Sequence, residues 1–297
     1  MSRLPRRRLL PLLAATPPLC RGWQETLRLA ISETLVRDVS LSDARAAMVV
    51  WIRKIVRDLN IRVDYDPQVF EQPQAFAARL KRGLVDTVAL TLPEYRRLSD
   101  WLDPQEVTIA SQRSKLTYTL LVRSGTGISS IDGLRGGRLL MLDSPPACLA
   151  EPWLETILHA RGLESAQRFF GAVERMKKPS QVILPVFFGQ AAACLTTTPS
   201  FLTVSELNPQ VSRRLQPLAA SPEIVSSLYA FRRGWESPAK SELKRAMSNM
   251  AATTSGRQIL TLFQCDDLVV KNTSCLRDSL AILAQTEKIQ AGKAERP

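Results

Sequence analysis

The chain has one histidine, His159, among its 297 residues. That lone histidine has no cysteine nearby in sequence, so histidine-based catalysis and zinc binding lose their usual equipment. Five cysteines (Cys20, Cys148, Cys194, Cys265 and Cys275) fit no CxxC spacing. No GxGxxG follows a strand, and no Walker A loop, GxSxG or HExxH occurs. Gly133-Leu-Arg-Gly136-Gly137 precedes a strand, which makes it a turn rather than a phosphate cradle. Asp266 and Asp267 lack calcium-loop spacing. No block of five like charges is present to serve as a nucleic-acid arm. No apolar run approaches the roughly twenty residues that a membrane span needs. Low-complexity segments and internal repeats are absent too. A non-enzyme without metal or cofactor is expected, with no nucleic-acid partner.

What is present is a basic, well-packed α/β pattern. Net charge is +12, and apolar residues make up 45%. Five arginines and no acidic residue lie before residue 23, leaving +7 on the remainder, where the excess is dispersed. Such a balance suits an anionic ligand or simply a solvated basic surface. Arg3, Arg6, Arg7 and Arg8 followed by the apolar stretch Leu9 to Leu19 form the pattern of an export signal over residues 1–22, implying a periplasmic protein. Arg6-Arg7 loosely resembles a twin-arginine signal. Cys20 raises lipidation, although Pro18-Leu19 lacks the small residues that such processing prefers. If Cys20 leaves with the signal, four cysteines remain. They can pair as Cys265–Cys275 and Cys148–Cys194 or stay as buried thiols, and both readings are open.

Thr26 to Ile31 alternates as a strand. Ala44, Met48 and Ile52 mark one face of a long amphipathic helix that Ser40 can cap. Arg62 to Tyr65 is a second strand, Gln74 to Arg82 a helix closed by Gly83, Val85 to Thr91 a third strand, and Pro93 to Leu98 opens another helix. This β-α-β-α-β order implies a parallel sheet with helices on its faces. Val107 to Ala110 and Leu116 to Val122 are β-rich. The pattern then restarts: strand 138–142, helix 147–161 closed by Gly162, an apolar stretch 169–173, helix 180–188 and strand 191–195. A helical region 199–215 precedes strands 216–219 and 228–232. A helix begins at Ser237-Pro238, and a final helical region, 255–264, precedes a polar tail. With 297 residues, two domains are expected.

Strand 138–142 ends in Asp143-Ser144, and Pro145-Pro146 opens the helix after it. A strand end leading into a helix N-terminus is where α/β proteins gather small ligands, because unpaired N–H groups point outward there.

The order of segments resembles the type II periplasmic substrate-binding proteins, in particular their phosphate/phosphite/phosphonate-binding, PhnD-like group. The resemblance covers about residues 26–275. It rests on Leu27-Arg-Leu-Ala-Ile-Ser32, Gly83-Leu-Val-Asp-Thr-Val-Ala89, Gly133-Leu-Arg-Gly-Gly-Arg138, Gly189-Gln-Ala-Ala-Ala-Cys194, Leu218-Ala-Ala-Ser-Pro-Glu-Ile224 and Ser255-Gly-Arg-Gln-Ile-Leu260. It implies two α/β lobes with a ligand cleft between them. Lobe one would be 25–121 plus 221–297 and lobe two 122–220, with crossings near Leu120-Leu121-Val122 and Leu218-Ala219-Ala220. It also implies a monomer that captures a small, phosphonate- or phosphate-like ligand for an ABC importer in the periplasm. The alternatives are a sensor that docks a receptor, or a degenerate binding protein without phosphonate specificity.

Phosphonate-binding members carry a run resembling D-P-x-S-T-S-G after the first strand of lobe two. A gap-free overlay puts Asp143 on the Asp, Ala147 and Cys148 on Thr and Ser, and Leu149 on Gly. Pro145 and Pro146 also remove two N–H donors. An anion there would lose several charge-assisted bonds, each about 1.5–3 kcal/mol. The acidic position after Gly-x-Ala falls on Ala192 or Ala193. The remaining cleft candidates are strand-end polar residues: Ser32, Glu33 and Thr34; Thr91 and Tyr95; Asp143 and Ser144; Thr196, Thr197 and Thr198.

Overall fold

The computed structural model describes residues 26–37, 40–59, 62–64, 70–111, 115–262 and 265–294. The proposed signal segment and Tyr65 lie outside them.

Strand β1 (Thr26–Ser32) is followed by a 3-10 turn (Glu33–Val36) and helix α1 (Leu41–Leu59). Ser40 Oγ accepts the Asp43 N–H at 3.4 Å, and Ala44, Met48 and Ile52 are buried as the spacing predicts. Then come β2 (Arg62–Asp64), β3 (Phe70–Glu71), α2 (Pro73–Lys81), β4 (Thr87–Thr91), α3 (Leu92–Leu98) and β5 (Glu106–Ser111). Gly83, at φ 63°, closes α2 in the left-handed conformation that glycine adopts without strain.

The second run is β6 (Tyr118–Arg123), β7 (Arg138–Leu142), a 3-10 turn (Pro145–Ala147), α4 (Ala150–His159), α5 (Ala166–Phe169) and β8 (Ala172–Met176). It continues through α6 (Pro179–Phe187), β9 (Ala193–Thr197), α7 (Thr198–Leu207), α8 (Pro209–Arg214) and β10 (Leu215–Ala220). The chain finishes with β11 (Ser227–Phe231), α9 (Pro238–Ser248), α10 (Thr254–Leu262), β12 (Asp267–Asn272) and α11 (Arg277–Ala294).

Two sheets organise these elements. The first has seven strands, ordered β12-β5-β11-β4-β1-β2 with β3 also on β1; the second is ordered β10-β6-β9-β7-β8. In sheet one, β2, β3 and β4 run parallel to β1, the expected β-α-β arrangement. β11 and β12 enter it antiparallel. β6 and β10, the two strands at the crossings, pair with each other inside sheet two. The chain therefore changes sheets in the segments between β5 and β6 and between β10 and β11.

Four local features differ from the sequence reading. Residues 199–215 form two helices, because Asn208 is extended and caps α8 at Pro209. Helix 147–161 is instead a 3-10 turn over Pro145–Ala147 followed by α4 from Ala150. His159 is the exposed last residue of α4. The polar tail after residue 264 is β12 and the 18-residue α11. Its surface-rich composition hides the few residues that pack, such as Leu276 and Ile282. α11 lies on both α3 and α4, and Thr286 Oγ1 donates to the Pro152 carbonyl at 3.2 Å.

At the N-terminal end of β4, the buried Asp86 carboxylate accepts from Arg28 Nε and Nη2, each at 2.9 Å, and from Arg232 Nη2 at 3.3 Å. This network ties β1, β4 and the residue after β11 at the end of sheet one opposite Thr91. Among the described residues no helix is long and apolar enough to cross a membrane.

Candidate functional site

The C-terminal ends of β1 and β4 in sheet one face the turn after β7 in sheet two. Ser32, the last residue of β1, is fully buried, and its hydroxyl donates to Glu94 Oε1 at 2.8 Å. Thr34 Oγ1 donates to the same oxygen at 2.8 Å. The other oxygen, Oε2, accepts the Thr91 N–H at 2.8 Å, completing a capping box at the start of α3. A buried carboxylate with three donors thus joins Ser32, Thr34 and Thr91. Glu33 sits beside them in the 3-10 turn, half-buried.

Arg37, just past that turn, reaches across to Asp143 at the end of β7, with Nη2 to Oδ1 at 2.6 Å. The 3-10 turns on the two sides also touch. Cys148 Sγ donates to the Ser226 carbonyl at 3.4 Å, another link between the two halves. Burial pushes the Cys148 thiol up to about 12; the nearby Glu94 carboxylate adds to the shift and the Arg37 guanidinium works against it. These contacts join the two halves across the cleft.

The mouth of α4 is filled from within. The Ala147 N–H bonds to the Ser144 carbonyl at 2.9 Å, and the Cys148 N–H bonds to the Pro145 carbonyl at 3.3 Å. The Leu149 N–H is taken by the Tyr118 hydroxyl at 3.2 Å, and that hydroxyl donates to the Pro146 carbonyl at 3.0 Å. Tyr118 is fully buried, and burial raises its phenol well above the usual range, so the group stays a neutral plug. Ser144 occupies the N-cap position of the 3-10 turn, yet its hydroxyl makes no capping bond.

The other predicted residues divide: Tyr95 leaves the polar cluster, while Thr196 and Thr197 end β9, which runs parallel beside β7 and touches the Pro145–Ala147 turn. Tyr95 is on α3, buried in the core; burial lifts its phenol, with Cys275 and Asp103 adding to the effect. Thr196 and Thr197 are the last two residues of β9 rather than residues after it. The buried Thr196 hydroxyl has no partner. Thr197 caps α7 by accepting the Ser200 N–H at 3.2 Å. Thr198 Oγ1 lies 2.5 Å from Thr117 Oγ1 and 3.0 Å from Thr119 Oγ1, at the crossing into β6. Sequence reasoning missed Glu94, Arg37 and Tyr118. Glu94 had a readable signal, the Thr-x-x-Glu capping box; the other two become visible only when the halves meet. Cys148, Cys194, Cys265 and Cys275 all stand as free thiols.

Beside the polar cluster, a cavity of about 120 Å³ descends into the first half between sheet one and α1, α9 and α10. Its strand wall includes Ile31, Ala89, Thr108 and Tyr229, and Pro145 and Pro146 reach it from the second half. Among the described residues lining it, none carries a charge.

The family model for the periplasmic substrate-binding protein of phosphonate ABC transporters matches residues 40–274. The chain belongs to that family. It is a solute-binding protein of ABC-transporter type, with the two-lobed type II α/β fold, and its family works in the periplasm. Among solved structures, a Xanthomonas citri protein bound to ATP superposes with a TM-score of 0.63 at 13% identity, covering 90% of this chain and 98% of that one. A binding-protein component of an ABC phosphonate transporter from Pseudomonas aeruginosa gives 0.59 at 12% identity, covering 92% and 90%. PhnD1 from Prochlorococcus marinus in complex with methylphosphonate gives 0.58 at 15% identity, covering 89% and 98%. At these identities the likeness is one of fold. No curated protein matches the sequence.

Proposed function

We propose that this phosphonate-family solute-binding protein is a non-enzymatic, monomeric capture protein, exported by residues 1–22, that delivers to an ABC importer a solute other than a simple phosphonate. The sequence reading divides the lobes at 121/122; because β6 pairs wholly inside sheet two, lobe one is taken as 25–117 plus 221–297 and lobe two as 118–220. The ligand sits between them, near Ser32, Glu33, Thr34, Thr91, Asp143 and Ser144.

One observation carries the specificity. The α4 mouth, where an anion would find open N–H groups, has two prolines and three N–H groups already bonded inside the protein. Glu94 adds negative charge beside it, and the Arg37 guanidinium there is already paired with Asp143. Methylphosphonate and ATP are held by the two relatives named above. Either ligand would here have to displace the Tyr118 hydroxyl and approach the Glu94 carboxylate.

Isothermal titration calorimetry with methylphosphonate, inorganic phosphate and ATP tests this reading, with no heat of binding expected from any of them. Micromolar binding of methylphosphonate to the wild-type protein overturns it. Cell fractionation tests export: the expected form is periplasmic and shortened by about the first 22 residues, and an intact cytoplasmic chain contradicts the assignment.

A further inference from the structure

We infer that the cleft takes a small, neutral, mainly apolar solute bearing one hydroxyl or carbonyl group, seated in the lobe-one cavity beneath Pro145 and Pro146. The inference rests on the solute-binding reading and moves the occupant off the strand-end polar cluster into the adjoining cavity, whose lining includes none of Ser32, Glu33, Thr34, Thr91, Asp143 and Ser144. The cavity holds about 120 Å³. That is close to the size, about 150 Å³, at which an apolar protein cavity accommodates benzene.

Chemistry and access agree with such an occupant. Met48, Met247 and Met250 line the helix side, and their unbranched thioethers adapt to the shape of an apolar guest. The two prolines contribute ring carbons and no N–H. Among the described residues an anion entering here would meet no compensating cation, which makes burial of its charge unfavourable. One polar group waits inside: Thr108 Oγ1, on a residue only 1% exposed, has no hydrogen-bond partner. Thr108 lies directly across from Tyr229 in the sheet and lines the cavity. A buried hydroxyl without a partner is uncommon in a finished core, and a ligand hydroxyl or carbonyl would satisfy it. Ala110, two residues further along β5, lines the same cavity and is exposed, giving an entrance at the strand-end edge.

The test is calorimetry with benzyl alcohol, toluene, methylphosphonate and inorganic phosphate on wild type, Thr108→Val and Ala89→Leu. Wild type is expected to bind benzyl alcohol more tightly than toluene and to ignore both phosphorus compounds. Thr108→Val keeps the shape and removes the hydroxyl, so benzyl alcohol should weaken by about 2- to 10-fold while toluene is unchanged. Ala89→Leu fills the cavity and should abolish both. If the filled variant does not fold, Thr108→Val decides alone. Binding of methylphosphonate without either aromatic probe overturns the inference and leaves the solute-binding reading intact. Binding of none of the four overturns it as well. Aromatic binding that Thr108→Val leaves unaltered places the ligand elsewhere and also overturns it.

Discussion

Replacing Tyr118 by phenylalanine removes one oxygen atom and probes the filled α4 mouth directly. That oxygen accepts the Leu149 N–H at 3.2 Å and donates to the Pro146 carbonyl at 3.0 Å, while the ring of Tyr118 and the whole of Leu149 are fully buried. The phenylalanine ring keeps the packing, so the loss is confined to one donor and one acceptor stranded without water. Each stranded group costs about 1–3 kcal/mol, and some relaxation is expected, which places the total at about 2–4 kcal/mol. For a protein of this size, that corresponds to a fall in Tm of roughly 3–7 °C. Thermal unfolding followed by circular dichroism reads it. A loss below about 1 kcal/mol would refute the reasoning.

Restoring donors should have the complementary effect: Pro145→Ser with Pro146→Thr is expected to raise affinity for methylphosphonate by roughly ten- to a hundredfold per recovered charge-assisted bond, measured by calorimetry. Asp86→Ala removes the buried carboxylate that Arg28 and Arg232 share at the far end of sheet one, so chemical denaturation should show a loss of about 1–3 kcal/mol with ligand affinity unchanged. Arg37→Ala breaks the half-exposed bridge to Asp143; stability should move by less than about 1 kcal/mol, but maleimide should label Cys148 faster because the lobes part more often. Cys148 and Cys265, both held up to about 12 by burial, stay protonated in the folded protein while the unfolded thiols ionise near pH 9. Stability should therefore fall as pH rises from about 9 toward 12, and Cys148→Ala should flatten that fall in denaturant titrations at pH 8 and pH 10.5.

The parallel half of sheet one was readable because its signals agree: the Ala44, Met48 and Ile52 stripe, the glycine after α2 and the apolar run of β4 all point to one arrangement. β12 and α11 were not readable. α11 is polar over most of its surface and buries few side chains, so periodicity gave little warning of a helix lying on both α3 and α4. The site divides in the same way. The Pro145-Pro146 departure was visible in sequence, because a missing N–H is a covalent property of the residue. The Tyr118 plug was not, since 28 residues separate Tyr118 from Pro146 and only the β6 strand brings them together. Likewise, the Arg37–Asp143 bridge spans 106 residues and depends on the two halves meeting. Strand-end rules placed Thr196 and Thr197 correctly near a strand terminus but not their roles. Those depend on which face each side chain takes, and the boundary of β9 lies two residues beyond the sequence reading.

Native mass spectrometry of the mature protein, extracted gently from its own periplasm, tests the central claim most directly. The account predicts a protein carrying one small neutral adduct that leaves on mild activation and is lost in Ala89→Leu. A co-purified phosphonate or nucleotide would contradict it.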